Sequence, residues 1–408
     1  MAKKYRKVKR SRNLYKKRKG SARKAIEIIL MVALVGGLGL IGFAAGKPLF
    51  EFLFSDRGEE EVLEWTPPED VEPDGSEDII TQTEDEPVDE DDEPPVSAPS
   101  HNAVFAPASV LDNSTSLAAY IQQAKSNGYN AVVLDMKDTT GNLFYASMYE
   151  PVKNTEIIKG TLTAAQIFAV FEGTEVTPIA RINTLFDQLS PRYVEDVSYA
   201  FADGSSKWMD NRPDAGGKFW ANPFLQGTRD YISFLVEELA EAGFPEIILA
   251  NNIFPYFRPY DVSILNPEFT NINTRYQGLL GLVDACAEKK GSSKLILEMS
   301  LKDVVENYSG FNNSAEILRG KNNLGDASLL LVFTRSDFGE ELITGENSSV
   351  ILPRDISGLV NMLYKQAQNQ IPGLYTIPGL VIAGLTDGEI TDILRTFGEL
   401  EFESYMIK

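Results

Sequence analysis

Four apolar runs in this chain each end in groups able to do chemistry. The first, Val132-Val133-Leu134, leads into Asp135, Met136, Lys137 and Asp138. A carboxylate carried to a rim by a buried strand can hold sugar hydroxyls or serve as an acid, and a neighbouring Lys137 would lower its pKa. An ion network that merely pins the loop would use the same residues. The second run, Pro178-Ile179-Ala180, ends in Arg181. A buried cation without a partner is costly, so Arg181 is expected to face Asp135, Asp138 or Glu298. The third, Ile247 to Ala250, brings Asn251 and Asn252, then Phe254, Tyr256 and Phe257. Amides bind hydroxyls but are neither ordinary acids nor nucleophiles. The fourth, Leu295-Ile296-Leu297, brings Glu298, the best single candidate for an acid or base. Pairing with Arg181 is its structural alternative. Trp208 and the run Phe219-Trp220-Ala221-Asn222 add flat apolar faces suited to sugar rings, or equally to covering a rim.

Other chemistries are poorly supplied. The chain has one histidine, His101, and one cysteine, Cys286. Ser–His–Asp and Cys–His arrangements therefore lack a base, and no disulfide can form within the chain. Neither a zinc cluster, a haem motif nor a glycine-rich phosphate loop with a lysine occurs. No metal and no cofactor is expected.

Alternating strands and helices must position these groups. Strands are expected at Ala103–Phe105, Ala131–Leu134, Glu175–Ile182, Glu246–Ala250, Lys294–Met299, Ser328–Thr334 and Leu380–Ala383. Helices are expected at Ser116–Ser126, Thr163–Glu172, Gln226–Ala242, Tyr276–Lys289, Ser357–Ala367 and Asp387–Phe397. Apolar strands joined by helical crossovers imply a parallel sheet. Near seven strands in about 305 residues fit an α/β fold of the (β/α)8 TIM type better than a doubly wound sheet. The eighth strand is ambiguous between Leu374–Ile377 and the weak first segment. Active groups of such a barrel gather at the C-terminal ends of its strands.

The formal charge of -21 hides three regions. Thirteen Lys and Arg lie between Lys3 and Lys24, and Ile28–Gly46 then carries no charged side chain. That pattern predicts a basic cytoplasmic tail at 1–25 and a transmembrane helix at 26–46, making a single-pass protein of the cell membrane with its C-terminal domain outside the cytoplasm. A cleaved secretion signal is the alternative. Residues 47–100, dense in acids and proline, read as a disordered linker. The barrel is assigned 101–408. Its acidic balance argues against a nucleic-acid partner.

The run Ala131–Gly141 with its Asp-Met-Lys-Asp core, Pro178–Ile182, Trp220-Ala221-Asn222-Pro223, and Ala242–Ile247 leading to Phe254-Pro255 together resemble a bacterial glycoside hydrolase family with an α-amylase-like (β/α)8 barrel. The likeness covers about Val104 to Ser300. Members of that family typically read Phe-Asp-Tyr-Val-Arg-Phe-Pro up to the position of Pro255. Their acid falls here on Ala250, their tyrosine on Asn251 and their arginine on Ile253. The aspartate of the next strand falls on Glu298. Asp135, Lys137, Asp138 and the strand arginine Arg181 are kept. The lost acid is the one most expected to act on a glycosidic bond.

Most glycosidases use two carboxylates, about 5–5.5 Å apart when configuration is retained and about 6.5–9.5 Å apart when it is inverted. The resemblance therefore implies a barrel that binds cell-envelope carbohydrate with impaired or lost catalysis. Catalytic candidates are Glu298, Asp135 and Asp138. Substrate-binding candidates are Lys137, Arg181, Trp208, Trp220, Asn222, Asn251, Asn252 and Tyr256. An active glycosidase using Glu298 with Asp135, and a scaffold for an envelope protein partner, are the alternatives.

Overall fold

The computed structural model describes residues 101–306, 310–311, 313–345 and 347–408. Eight parallel strands close into a barrel. In chain order they are β1 (Asn102–Ala106), β2 (Ala131–Lys137), β3 (Thr177–Asn183), β4 (Glu246–Ala250), β5 (Lys294–Ser300), β6 (Ser328–Thr334), β9 (Thr376–Val381) and β10 (Tyr405–Ile407). Between β6 and β9 an antiparallel hairpin is inserted, made of β7 (Glu341–Gly345) and β8 (Ser348–Ile351). Neighbouring staves follow chain order throughout, and β10 returns to β1.

Period-2 alternation divides each stave between two cores. Ala103, Val133, Ile179, Ile248, Ile296, Leu330, Ile377 and Met406 fill the barrel interior. The intervening residues face a ring of helices and belong to a second, larger core. Helix Gln226–Glu241 shows how that ring forms. Tyr231, Ile232, Leu235, Val236 and Leu239 are buried on its inner face, and the helix packs beside Tyr276–Lys289. Cys286 is buried within the latter helix, and burial pushes its thiol pKa up.

Two expectations about the strands are corrected. The strand expected at Leu380–Ala383 runs instead from Thr376 to Val381, taking in the last two residues of the ambiguous Leu374–Ile377 run. The chain pattern also does not end on a helix. Tyr405–Ile407 forms the last stave, pairing Ala103 with Met406 on one side and Gly379 with Met406 on the other. Three residues are too few to show an alternation, so this strand leaves no periodic trace in the sequence.

The membrane expectations are also corrected. No helix among the described residues is long and apolar enough to cross a membrane. The segment 26–46 expected to do so lies outside the described residues, as do the basic tail and the acidic linker. The fold is accordingly a (β/α)8 barrel without an assigned anchor. Single-pass topology, a membrane partner and a cell-membrane location are withdrawn with the anchor.

Candidate functional site

Arg181 is the hub of the barrel's C-terminal mouth. Position 179 faces the interior, so residue 181, two along β3, faces it too. Its side chain is 5% exposed. The Nε donates to Glu298 Oε2 at 2.5 Å and Nη2 donates to Oε1 at 2.7 Å. Nη1 donates to Asp135 Oδ1 at 2.6 Å. One planar guanidinium thus links β2, β3 and β5, a geometry that lysine could not reproduce. Lys408 places its Nζ 3.6 Å from Glu298 Oε1. Phe105 lies under both cations, 5.7 Å from Arg181 and 5.2 Å from Lys408.

The electrostatics of Glu298 follow from this packing. Burial alone would raise its pKa. Attraction and hydrogen bonding from Arg181, then from Lys408, outweigh burial and hold the carboxyl below its ordinary value. Glu298 is therefore an ionised acceptor at neutral pH. Ala250 is fully buried one residue beyond the last β4–β5 pair, Leu249 with Leu297, and so stands level with Glu298. Where the resembling family carries an acid, this mouth has a methyl group.

Lys137 and Asp138 go elsewhere. An irregularity in the β2–β3 ladder between Asp135 and Lys137 brings Lys137 opposite Ile182 rather than Asn183. Such a bulge switches a side chain to the other face of the sheet. Lys137 is completely buried outside the barrel. It donates to Asn183 O at 2.6 Å, pairs with Asp187 Oδ2 at 2.7 Å and lies over Tyr231. Asp138 closes its own loop. Its Oδ1 accepts from the backbone of Thr140, Gly141 and Asn142, and its Oδ2 from the Asn142 amide.

The amides after β4 are structural in their contacts. Asn251 has φ +54°, a left-handed conformation that Asn tolerates, and its amide donates to Asn183 Oδ1. Asn252 donates to Leu249 O and accepts from the Thr184 hydroxyl. Asn222 is buried, its Oδ1 accepting from Phe224 N. Trp208 is buried against Tyr199 and Phe257, and its indole donates to Asp261.

Trp220, only 9% exposed, and the exposed Tyr256 are brought together beside the rim. They lie on the loops after β3 and β4 and line two adjoining clefts. One, of about 380 Å³, is walled by Phe186, Asp210, Lys218 and Arg258 as well. The other, of about 740 Å³, is lined by Ile253, Phe254, Phe257, Ile272 and Arg275 among others. Trp220 is fixed by Phe186, ring centroids 4.6 Å apart, and by donating to Asp210 Oδ2 at 3.0 Å. Tyr256 is 82% exposed. Sequence reasoning missed Phe105, Lys408, Asp187, Phe186, Asp210, Lys218 and Arg258. Of these only Lys218 left a signal, because it immediately precedes the aromatic pair Phe219-Trp220.

The chain is a closed (β/α)8 barrel with an ionic mouth and two clefts at its C-terminal rim. A family model described as "Putative glycosyl hydrolase domain" matches residues 103–272. No curated protein matches the chain. Among solved structures, the PgaB (BpsB) glycoside hydrolase domain from Bordetella bronchiseptica is similar at 13% identity and TM-score 0.47, covering 75% of this chain and 92% of that one. A hypothetical protein from Ruminiclostridium thermocellum ATCC 27405 is similar at 19% identity and TM-score 0.40, covering 48% and 96%. The GH20 exo-β-N-acetylglucosaminidase from Vibrio harveyi is similar at 10% identity and TM-score 0.38, covering 68% and 40%.

Proposed function

We propose that this barrel binds carbohydrate at its C-terminal rim and does not hydrolyse it. The observation that carries the reading is the state of the mouth. Glu298 is tied bidentately to Arg181 and held ionised, so it has no proton to give a leaving oxygen. Asp135 is the other acceptor of the same guanidinium, and position 250 offers no acid. General-acid catalysis needs a protonated group with a raised pKa on one side of the bond. In this reading the chain is a divergent glycoside-hydrolase-like barrel that lacks the usual catalytic aspartate. Asp135, Glu298 and Arg181 shape the mouth, while the exposed Tyr256 offers a face for a sugar ring beside the edge of the largely buried Trp220.

The test incubates the full chain with a broad panel of polysaccharides. Bound glycan and released reducing ends are measured in the same samples, with Glu298→Gln and Asp135→Asn variants alongside. Saturable binding without product is expected. Product that disappears in both variants would establish a glycosidase and overturn the reading.

A further inference from the structure

Resting on the carbohydrate-binding reading, we infer that the smaller rim cleft takes a sugar carrying an anionic substituent, a carboxylate, sulfate or phosphate. Residues 101–408 contain 38 acids and 23 bases, so the domain as a whole repels anions. Any anion selectivity must be local, and the cleft supplies it through the way its charges are used. Asp210 lines the cleft too, but both its carboxylate oxygens are engaged, Oδ1 accepting from Lys218 N at 2.7 Å and Oδ2 from the Trp220 indole. Asp261 is 1% exposed and turned away, accepting from Trp208 and from the backbone and side chain of Arg258.

The cations are used in the opposite sense. Among the described residues Lys218 makes no ion pair, and its ammonium lies 5.2 Å from the centre of the Phe186 ring. Arg258 is anchored through Nε and Nη2, yet its side chain is 46% exposed. The cleft thus combines an aromatic wall for a sugar ring with cationic donors. Charge-assisted bonds from ammonium and guanidinium groups are the strong means of holding carboxylate, sulfate or phosphate. The larger cleft offers no such pair. Among the described residues its lining cation is Arg275 alone, which gives Nε and Nη2 to Glu316 as Arg258 does to Asp261, but is only 17% exposed against 46% and stacks on Phe254.

The experiment measures binding of the full chain to four probes by calorimetry. These are a uronic acid oligomer, its neutral methyl ester, and a sulfated and a phosphorylated glucan oligomer. Lys218→Gln, Lys218→Arg and Tyr256→Ala variants are run in parallel. The basic stretch Lys3–Lys24 is common to all, so the ratio of variant to parent reports the cleft. At least one anionic probe should bind about tenfold tighter than the neutral ester, a preference lost in Lys218→Gln and kept in Lys218→Arg. Which anionic probe shows the preference identifies the substituent. Equal binding of acid and ester, weakened in both by Tyr256→Ala, overturns the anion assignment and leaves carbohydrate binding standing. An anion preference unchanged by Lys218→Gln also overturns it. Binding of none of the probes, nor of any glycan in the broad panel, overturns both.

Discussion

Replacing Arg181 by methionine removes three hydrogen bonds and the positive charge from a site where Glu298 keeps 14% of its side-chain surface and Asp135 keeps 29%. Breaking one side of a buried ion pair costs about 3–5 kcal/mol, because the remaining charge is left without compensation. Asp135 retains some water, and Lys408 stays 3.6 Å from Glu298, so the lower end, about 3 kcal/mol, is expected near neutral pH. The pH dependence is more telling than the size. In the parent chain the folded pKa of Glu298 lies below its ordinary 4.5. Pairing therefore contributes stability that is fully present above that ordinary value and fades as pH falls through the depressed one. In Arg181→Met, burial acts on Glu298 with only Lys408 opposing it, so its folded pKa moves up and folding is penalised as pH rises. The gap between parent and variant should be widest at pH 7.5 and should narrow steadily towards pH 4. Urea unfolding followed by tryptophan fluorescence gives the gap at each pH from the midpoint and slope. The double variant Arg181→Met with Glu298→Gln should recover part of the loss. A deficit below 1 kcal/mol, or one of equal size at both pH values, would refute the assignment of Arg181 as the charge that holds Glu298 ionised.

Lys137→Met should be as damaging, about 3–5 kcal/mol, because it leaves the fully buried Asp187 unpaired; urea midpoints read this, and an unchanged midpoint would contradict the burial. Tyr256→Ala should weaken glycan binding about tenfold while moving stability by no more than about 0.5 kcal/mol, since the ring is exposed and lines both clefts. Calorimetry and unfolding together separate the two effects. Cys286 should resist thiol reagents in the folded chain and react promptly in denaturant, its thiolate being suppressed by burial. Rapid labelling without denaturant would show the helix Tyr276–Lys289 to be open.

The strand ends were legible because each joins an apolar run to a single charged or amide group, and helix Tyr276–Lys289 and strands Glu246–Ala250 and Ser328–Thr334 lie where their patterns put them. Arg181 was tied to its partners by cost alone: of the three acids considered, the barrel supplies Asp135 and Glu298. The third, Asp138, is occupied by its own loop. What the chain does not spell out is a local slip in register. By alternation Lys137 shares the inner face with Asp135, but the irregularity between them carries it outside to Asp187. Trp208 and Trp220 are alike in composition and neighbourhood. Both are buried; only the packing of Tyr199, Phe257 and Asp261 around the first, and the opening of two clefts beside the second, sets their surroundings apart.

The short stave Tyr405–Ile407 has a consequence in time. It pairs with residues about three hundred positions earlier, so the two sides of the cylinder meet only after nearly all the intervening chain has been made. Until then β1 has a bare edge on one side and β9 on the other, and each is a template that another nascent chain could pair with. Contacts so distant in sequence form slowly, because a long loop must close before they give anything back. Yield from a cell should therefore respond to synthesis rate and chaperone supply more than the stability of the finished barrel would suggest. Changes confined to residues 405–407 should show first as aggregation during production.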